Sequence, residues 1–156
     1  YITVEKNYDI LLDINTVIDL KETMQKLEIG ADIAKVIQIN PIYFDLAKWN
    51  IRADAAKELD KIVKVMQENP TMTIELGSHT DCRSSKAYNL SLSSKRAKSS
   101  AEYIVSKGIA KNRIVGKGYG ESKLINGCEC EGKVQSSCSE EEHQANRRTE
   151  FLITKF

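Results

Sequence analysis

The spacing of apolar residues changes period several times along the chain, and each change predicts an element. Through AAKELDKIVKVM, Ala55, Leu59, Ile62, Val63 and Met66 recur at helical intervals, and Asn69-Pro70 ends the run. In TMTIELGS the period drops to two, with Met72, Ile74 and Leu76 alternating against polar neighbours, as in a strand with one buried face. HTDCR reads as a loop. A second helix then opens with Ser84 or Ser85 as its cap and closes at Gly108. RIVGKGYG predicts a third strand, and RRTEFLITKF, with Phe151 and Ile153 alternating, the last. Upstream, IQINPIYF holds a short apolar strand in which Pro41 fits only where no backbone N–H is needed. Between about 121 and 145 the chain is polar and cysteine-rich, and a loop is expected there.

The resulting order, β-α-β-α-β-(loop)-β, predicts an α/β (α+β) fold, a two-layer sandwich. Helical crossovers make the first three strands parallel; the last enters after a loop, so a mixed four-stranded sheet is expected. This pattern assigns 39–156 to one domain and 1–38 to a linker or the tail of a preceding domain. In that tail YITV and ILLDI suggest strands and VIDLKETMQKL a short helix, none carrying chemistry. The chain opens YITV, with neither an initiator Met nor a signal-peptide pattern, so a piece of a longer protein is expected, any export signal or anchor lying upstream.

Composition narrows the function classes. The chain has 156 residues, 41% of them apolar and 29% charged, with a formal charge of +1. That balance lacks the basic footprint of a nucleic-acid binder. No apolar run reaches the roughly 20 residues of a helical membrane span, so contact with a membrane is expected only through missing parts of the chain. Cys82, Cys128, Cys130 and Cys138 form an even set suited to disulfides in an oxidising compartment. A zinc site from Cys128, Cys130, Cys138 and His143 is the rival, but its CxC spacing matches zinc knuckles less well than CxxC, so no metal is expected. One residue between Cys128 and Cys130 is too few to bridge them, which joins one of the two to Cys138 and the other to Cys82. Cys128–Cys138 with Cys82–Cys130 is the favoured pairing, since Cys138 precedes the helical-looking SEEEH and the Asn-Gly-Cys turn folds back towards it.

Candidate chemistry concentrates in SHTDCRSSKAYNLSLSSKRA, residues 78–97. The segment starts at the C-terminal end of a predicted strand, where open α/β sheets present binding loops. Asp81 lies in the loop; Asn89 and Arg96, two helical turns apart, share one side of the second helix. A carboxylate, an amide and a guanidinium that converge complement a zwitterion: Arg96 grips a carboxylate through paired N–H groups, Asp81 accepts from an ammonium, and Asn89 orients what lies between. The plainer alternative is a ligand-free surface ion pair between Asp81 and Arg96.

This segment resembles the signature of the OmpA-like peptidoglycan-binding domain, G/S-H-T-D followed by Y/L-N-x-x-L-S-x-x-R-A. IYFDLAKWNI (42–51), RIVGKGYGES (113–122) and NRRTEFLI (146–153) resemble three further motifs of that family, in the same order. The resemblance implies a non-catalytic binder of the diaminopimelate in the peptidoglycan stem, with Asp81 and Arg96 holding its free amino acid end. Thr80, Asn89, Asp45 and Arg147 match positions that line the pocket. It also implies residence at the periplasmic face of the outer membrane in a Gram-negative envelope, no cofactor, and an anchoring role beside other envelope proteins. The alternative is a protein–protein interaction domain of an envelope complex with a degraded pocket. Two features depart from the pattern: Cys82 follows the motif Asp, and a long insertion carries CEC and CSEEEH.

His79, Asp81 and a neighbouring serine make a formal triad list, but no nucleophile elbow or metalloprotease pattern accompanies them. Lys57, Lys61 and Lys64 read as a solvated helix face. Trp49, the sole tryptophan, reads as a cap on the edge of the core, with stacking on glycan or peptide as its other use.

Overall fold

A computed structural model of the chain describes residues 27–156. The strands expected at YITV and ILLDI, and all but Leu27 of the helix expected at VIDLKETMQKL, lie outside them. The described elements are α1 (Ile33–Val36), α2 (Ala53–Glu68), β1 (Thr73–His79), α3 (Lys86–Ser106), β2 (Ile114–Gly120), α4 (Glu140–Asn146) and β3 (Thr149–Lys155). A single 3-10 turn, Lys111–Arg113, leads into β2.

Three strands form one sheet in the order β2-β1-β3. β2 runs parallel to β1, as a helical crossover requires, and β3 runs antiparallel. The two-layer α/β architecture and mixed sheet are as the periodicity predicts, but among the described residues the sheet has three strands, not four. IQINPIYF contributes Ile42 to the core without forming a strand. Pro41 has no N–H to donate, and the edge of β3 is already taken. Gly30 N–H donates to the Ile153 carbonyl and Ile153 N–H to the Ala31 carbonyl, at 2.8 and 2.9 Å. Part of the stretch expected to be a linker or tail thus packs on the sheet, and Ile33 is fully buried.

The α2 stripe buries as its spacing predicts: Ala55, Leu59, Ile62, Val63 and Met66 meet Ile74, Leu76, Phe151 and Ile153. Helix α3 starts at Ser85, whose side chain accepts from Tyr88 N–H, and ends before Gly108, whose φ of +99° suits glycine. Its buried face is small and polar rather than greasy: Asn89, Ser93, Ala97, Ser100 and Ile104. This lets β2 approach unusually close. A Cβ on Gly118 would lie 2.2 Å from the backbone N of Ser94, and one on Gly116 2.6 Å from the Ala97 carbonyl oxygen. Ser93 Oγ completes the seam by accepting Gly120 N–H at 2.9 Å. Gly118→Ala is therefore expected to cost about 3 kcal/mol, the upper part of the range for overpacking, because backbone must move. Urea denaturation checks this; an unchanged midpoint would contradict the close approach.

The expected loop of 121–145 is mostly irregular, but its C-terminal end folds into α4. Ser139 accepts from Glu142 N–H while the Glu142 carboxylate accepts from Ser139 N–H. This capping box was visible as S-E-E-E but lies inside a polar stretch with no apolar period to mark a helix.

Candidate functional site

β1 ends at His79, and its continuation, Thr80–Arg83, forms the floor of a cavity of about 680 Å³. The loop before α2, the first turns of α3, and α4 with the residues after it make the walls. Thr80, Asp81, Asn89, Arg96 and Arg147 all line this cavity, together with Tyr43, Phe44 and Tyr88 at its apolar side.

Asp81 is mostly enclosed, its side chain 11% exposed. Oδ1 accepts the Arg83 backbone N–H at 3.0 Å. Oδ2 accepts from Arg83 Nη2 at 2.8 Å and from Arg147 Nη1 at 2.6 Å. Burial works against its charge, but the hydrogen bonds from Arg83 and Arg147 prevail and hold the carboxyl at about 2. Asp81 is thus a carboxylate at any physiological pH, with room for one further donor on Oδ1.

Arg96 does not pair with Asp81, so the surface ion pair is not what the structure contains. Its Nε donates to the Lys48 carbonyl at 3.0 Å and Nη2 to the Asp45 carbonyl at 3.3 Å, and its guanidinium lies 5.0 Å from the Phe44 ring centre. No carboxylate contacts it among the described residues. The loop carbonyls occupy its Nε/Nη2 edge, leaving the Nη1/Nη2 end to take a carboxylate end on. Burial, opposed by Tyr88 and aided by the Arg147 charge, pulls the Arg96 pKa below its usual value. The cavity thus presents an incompletely compensated cation.

Two of the expected pocket residues serve differently from their sequence reading. Asn89 is buried, and its Nδ2 lies 3.0 Å from the Asp81 carbonyl and 3.2 Å from that of Ser84. It ties the Asp81 loop to α3, placing Asp81 rather than reaching across the cavity. The Asp45 carboxylate turns away to Arg52 and Lys48, at 3.1 and 3.6 Å; only its carbonyl serves the site, through Arg96. Thr80 Oγ1 is buried without a hydrogen-bond partner among the described residues.

Arg83 and Glu140 were not found by sequence reasoning. Glu140 accepts from Arg83 Nη1 at 2.6 Å and from Arg147 Nη2, so Asp81, Arg83, Arg147 and Glu140 form one closed network. Arg83 stands two residues from Asp81, as Asx-turn partners do, but nothing in the sequence places α4 opposite it.

The cysteines pair as favoured, Cys82–Cys130 and Cys128–Cys138. The first fastens the residue after Asp81 to the insertion. Sγ of Cys128 and Cys138 and the Glu142 carboxylate lie within 4.8 Å of one another, but both sulfurs are spent in the disulfide and offer no thiolate. The His79 ring stacks on Tyr119 and its Nε2 donates to Glu150 at 3.2 Å. Lys95 Nζ covers the Trp49 ring at 4.3 Å.

Burial, reinforced by Arg148 and opposed by Glu150, lowers the His79 pKa from 6.5 to about 4. The unfolded chain therefore takes up a proton near pH 6.5 that the folded chain refuses until about pH 4. Stability is expected to be full above that window and to fall as pH drops through it. Thermal melts from pH 7 to 4, with the His79 imidazole followed by NMR, test this; a His79 titration near 6.5 would refute it.

A family model described as the OmpA family matches residues 43–137. Among curated proteins, a photosystem I P700 chlorophyll a apoprotein A2 from Gloeobacter violaceus is 36% identical over 112 residues, 72% of this chain but 12% of that protein. A peptidoglycan-associated lipoprotein from Rhizobium meliloti is 35% identical over 88 residues, covering 56% of this chain and 50% of that one. The chain thus spans at most half the length of these two relatives. Among solved structures, the peptidoglycan-associated lipoprotein from Burkholderia pseudomallei superposes with a TM-score of 0.61 at 20% identity, over 75% of this chain and 92% of that one.

Proposed function

The chain belongs to the OmpA family, and from that premise we propose that it binds peptidoglycan without catalysis, through the diaminopimelate of the stem peptide. The observation that carries this reading is the state of Arg96. A guanidinium held only by two backbone carbonyls, with its free end in the same cavity as a firmly ionised Asp81, complements a group with a carboxylate and an ammonium on one carbon. The D-centre of diaminopimelate is such a group. Its carboxylate takes the Nη1/Nη2 end of Arg96 and its ammonium donates to Asp81 Oδ1, while Asn89 and the Arg83 and Arg147 bonds keep Asp81 in place. Thr80 Oγ1 offers a further polar contact, and Arg147 acts through Asp81 as well as lining the pocket.

In this reading the domain anchors an outer-membrane or periplasmic assembly to the wall, at the periplasmic face of the outer membrane. Relatives named as peptidoglycan-associated lipoproteins and as outer membrane protein P5 support that location. The test is titration with two stem tripeptides while amide shifts are followed. L-Ala-γ-D-Glu-meso-diaminopimelate is expected to shift resonances around Asp81 and Arg96. The lysine counterpart has an ammonium but no carboxylate at that centre, and should bind at least tenfold more weakly, the worth of one charge-assisted pair. Equal affinities would refute the zwitterion reading; no shifts with either peptide would favour a protein partner.

A further inference from the structure

We propose that Arg83 and Arg147 form a second carboxylate site beside the zwitterion pocket, filled by Glu140 in the free protein, and that the free α-carboxylate of the stem's D-glutamate displaces Glu140 from it. The proposal rests on the binding reading above and names a second group of the same ligand.

The geometry is that of an occupied anion site. Two guanidinium groups, both already anchored on Asp81, turn their remaining N–H groups onto one further carboxylate. That carboxylate belongs to the chain itself, from the N-terminal end of α4, and lines the same cavity. Paired guanidinium groups favour planar oxyanions, and any carboxylate that reaches them satisfies the same donors.

Glu140 is the replaceable member. Its side chain is 61% exposed, against 11% for Asp81, 33% for Arg83 and 24% for Arg147. Turning Glu140 outward returns a carboxylate to water it already touches, whereas moving Asp81 would strip a buried network. Salt bridges as open as these are weak, so exchange is easy.

Charge balance points the same way. Four guanidinium groups (Arg83, Arg96, Arg147, Arg148) and two carboxylates (Asp81, Glu140) line the cavity; Arg148 is already paired with Glu150 at 2.8 Å, which leaves one positive charge in excess. A zwitterion leaves that excess unchanged. A ligand with one more carboxylate cancels it. Arg83, Arg96, Arg147 and Glu140 line one and the same cavity of about 680 Å³, so one short peptide can reach both anion positions. In a stem that continues to D-alanine, the L-centre carboxyl of diaminopimelate is consumed in that bond and D-glutamate joins diaminopimelate through its γ-carboxyl, which leaves the glutamyl α-carboxyl as the nearest free one. Where that carboxyl is amidated, the second site has nothing to bind and Glu140 stays.

The test compares L-Ala-γ-D-Glu-meso-diaminopimelate, its L-centre carboxyl blocked as the amide, with the same peptide also amidated at the glutamyl α-carboxyl, by calorimetry, on the chain and on three variants. The acid should bind the unaltered chain more tightly than the amide. Glu140→Gln removes the competitor and should strengthen acid binding by about tenfold while leaving amide binding within about twofold, so the gap widens. Arg83→Met should close the gap. Glu141→Gln makes the same charge change one residue away and should leave it as in the unaltered chain. A gap no wider in Glu140→Gln than in Glu141→Gln, or equal gains for acid and amide, would overturn the second site. Free meso-diaminopimelate separates the two readings. If it binds but amidation makes no difference, only the second site falls. If it fails to bind while the acid-over-amide gap persists, the zwitterion reading falls and the second site stands.

Discussion

Arg96→Ala and Asp81→Ala are each expected to abolish co-sedimentation with diaminopimelate-type peptidoglycan at moderate salt. Removing one partner leaves the ligand's opposite charge facing the other without compensation, a loss of roughly 2–5 kcal/mol where the pair is desolvated. The two positions differ in what else they hold. Asp81 gathers Arg83 and Arg147, so its alanine variant also loosens the loop and α4. Asp81→Asn keeps the shape while removing the charge, and should still fail to bind. Arg96 anchors the loop of residues 45–48 through two carbonyls. Arg96→Lys keeps one charge but not the two-pronged end, and is expected to retain only weak binding. Circular dichroism should show all four variants folded. Sedimentation at the level of the unaltered chain by either alanine variant, in folded form, would sink the assignment of the pocket.

The legible parts of this protein are those governed by local chemistry. The α2 stripe, the β1 alternation and the caps at Ser85 and Gly108 follow from side-chain period and turn residues within a few positions. Asp81 and Arg96 were legible because strand end, loop and helix are local features of the sequence, and both residues line the cavity. What the sequence hid depends on contacts distant along the chain. The edge of β3 is closed by residues 30–32, some 120 positions earlier, so the strand expected at IQINPIYF had no place beside β3. Asp45 looked like a pocket acid because its neighbours belong to the pocket, yet Arg52, seven residues on, draws its carboxylate out. Glu140 sits among three consecutive glutamates, and only the position of α4 opposite Arg83 distinguishes it from the other two.

Loss of the Cys82–Cys130 bond is expected to hurt both stability and binding, and more than loss of Cys128–Cys138. By chain entropy, cross-linking residues 48 apart stabilises by roughly 4 kcal/mol, against roughly 2.7 kcal/mol for residues 10 apart. The functional difference has a separate cause. Cys82 is buried beside Asp81, so its bond restrains the loop that carries the Asp81 carboxylate. Cys128–Cys138 closes a turn within the insertion and reaches the site less directly, through the Cys128 carbonyl 3.1 Å from Cys82 Sγ and through the residues that follow it. Freeing Cys82 lets the loop sample other positions before binding, and the ligand must then order it. Asn89 and the Arg83 N–H still hold that loop, which limits the loss of affinity for the diaminopimelate tripeptide to about tenfold. Cys82→Ser/Cys130→Ser and Cys128→Ser/Cys138→Ser variants, compared by thermal melting and calorimetry, separate the two effects. Mass mapping of the unreduced protein should return the two pairs as described. If both double variants lose equal affinity, the restraint on Asp81 comes from Asn89 and Arg83 alone and the Cys82 bond serves stability only.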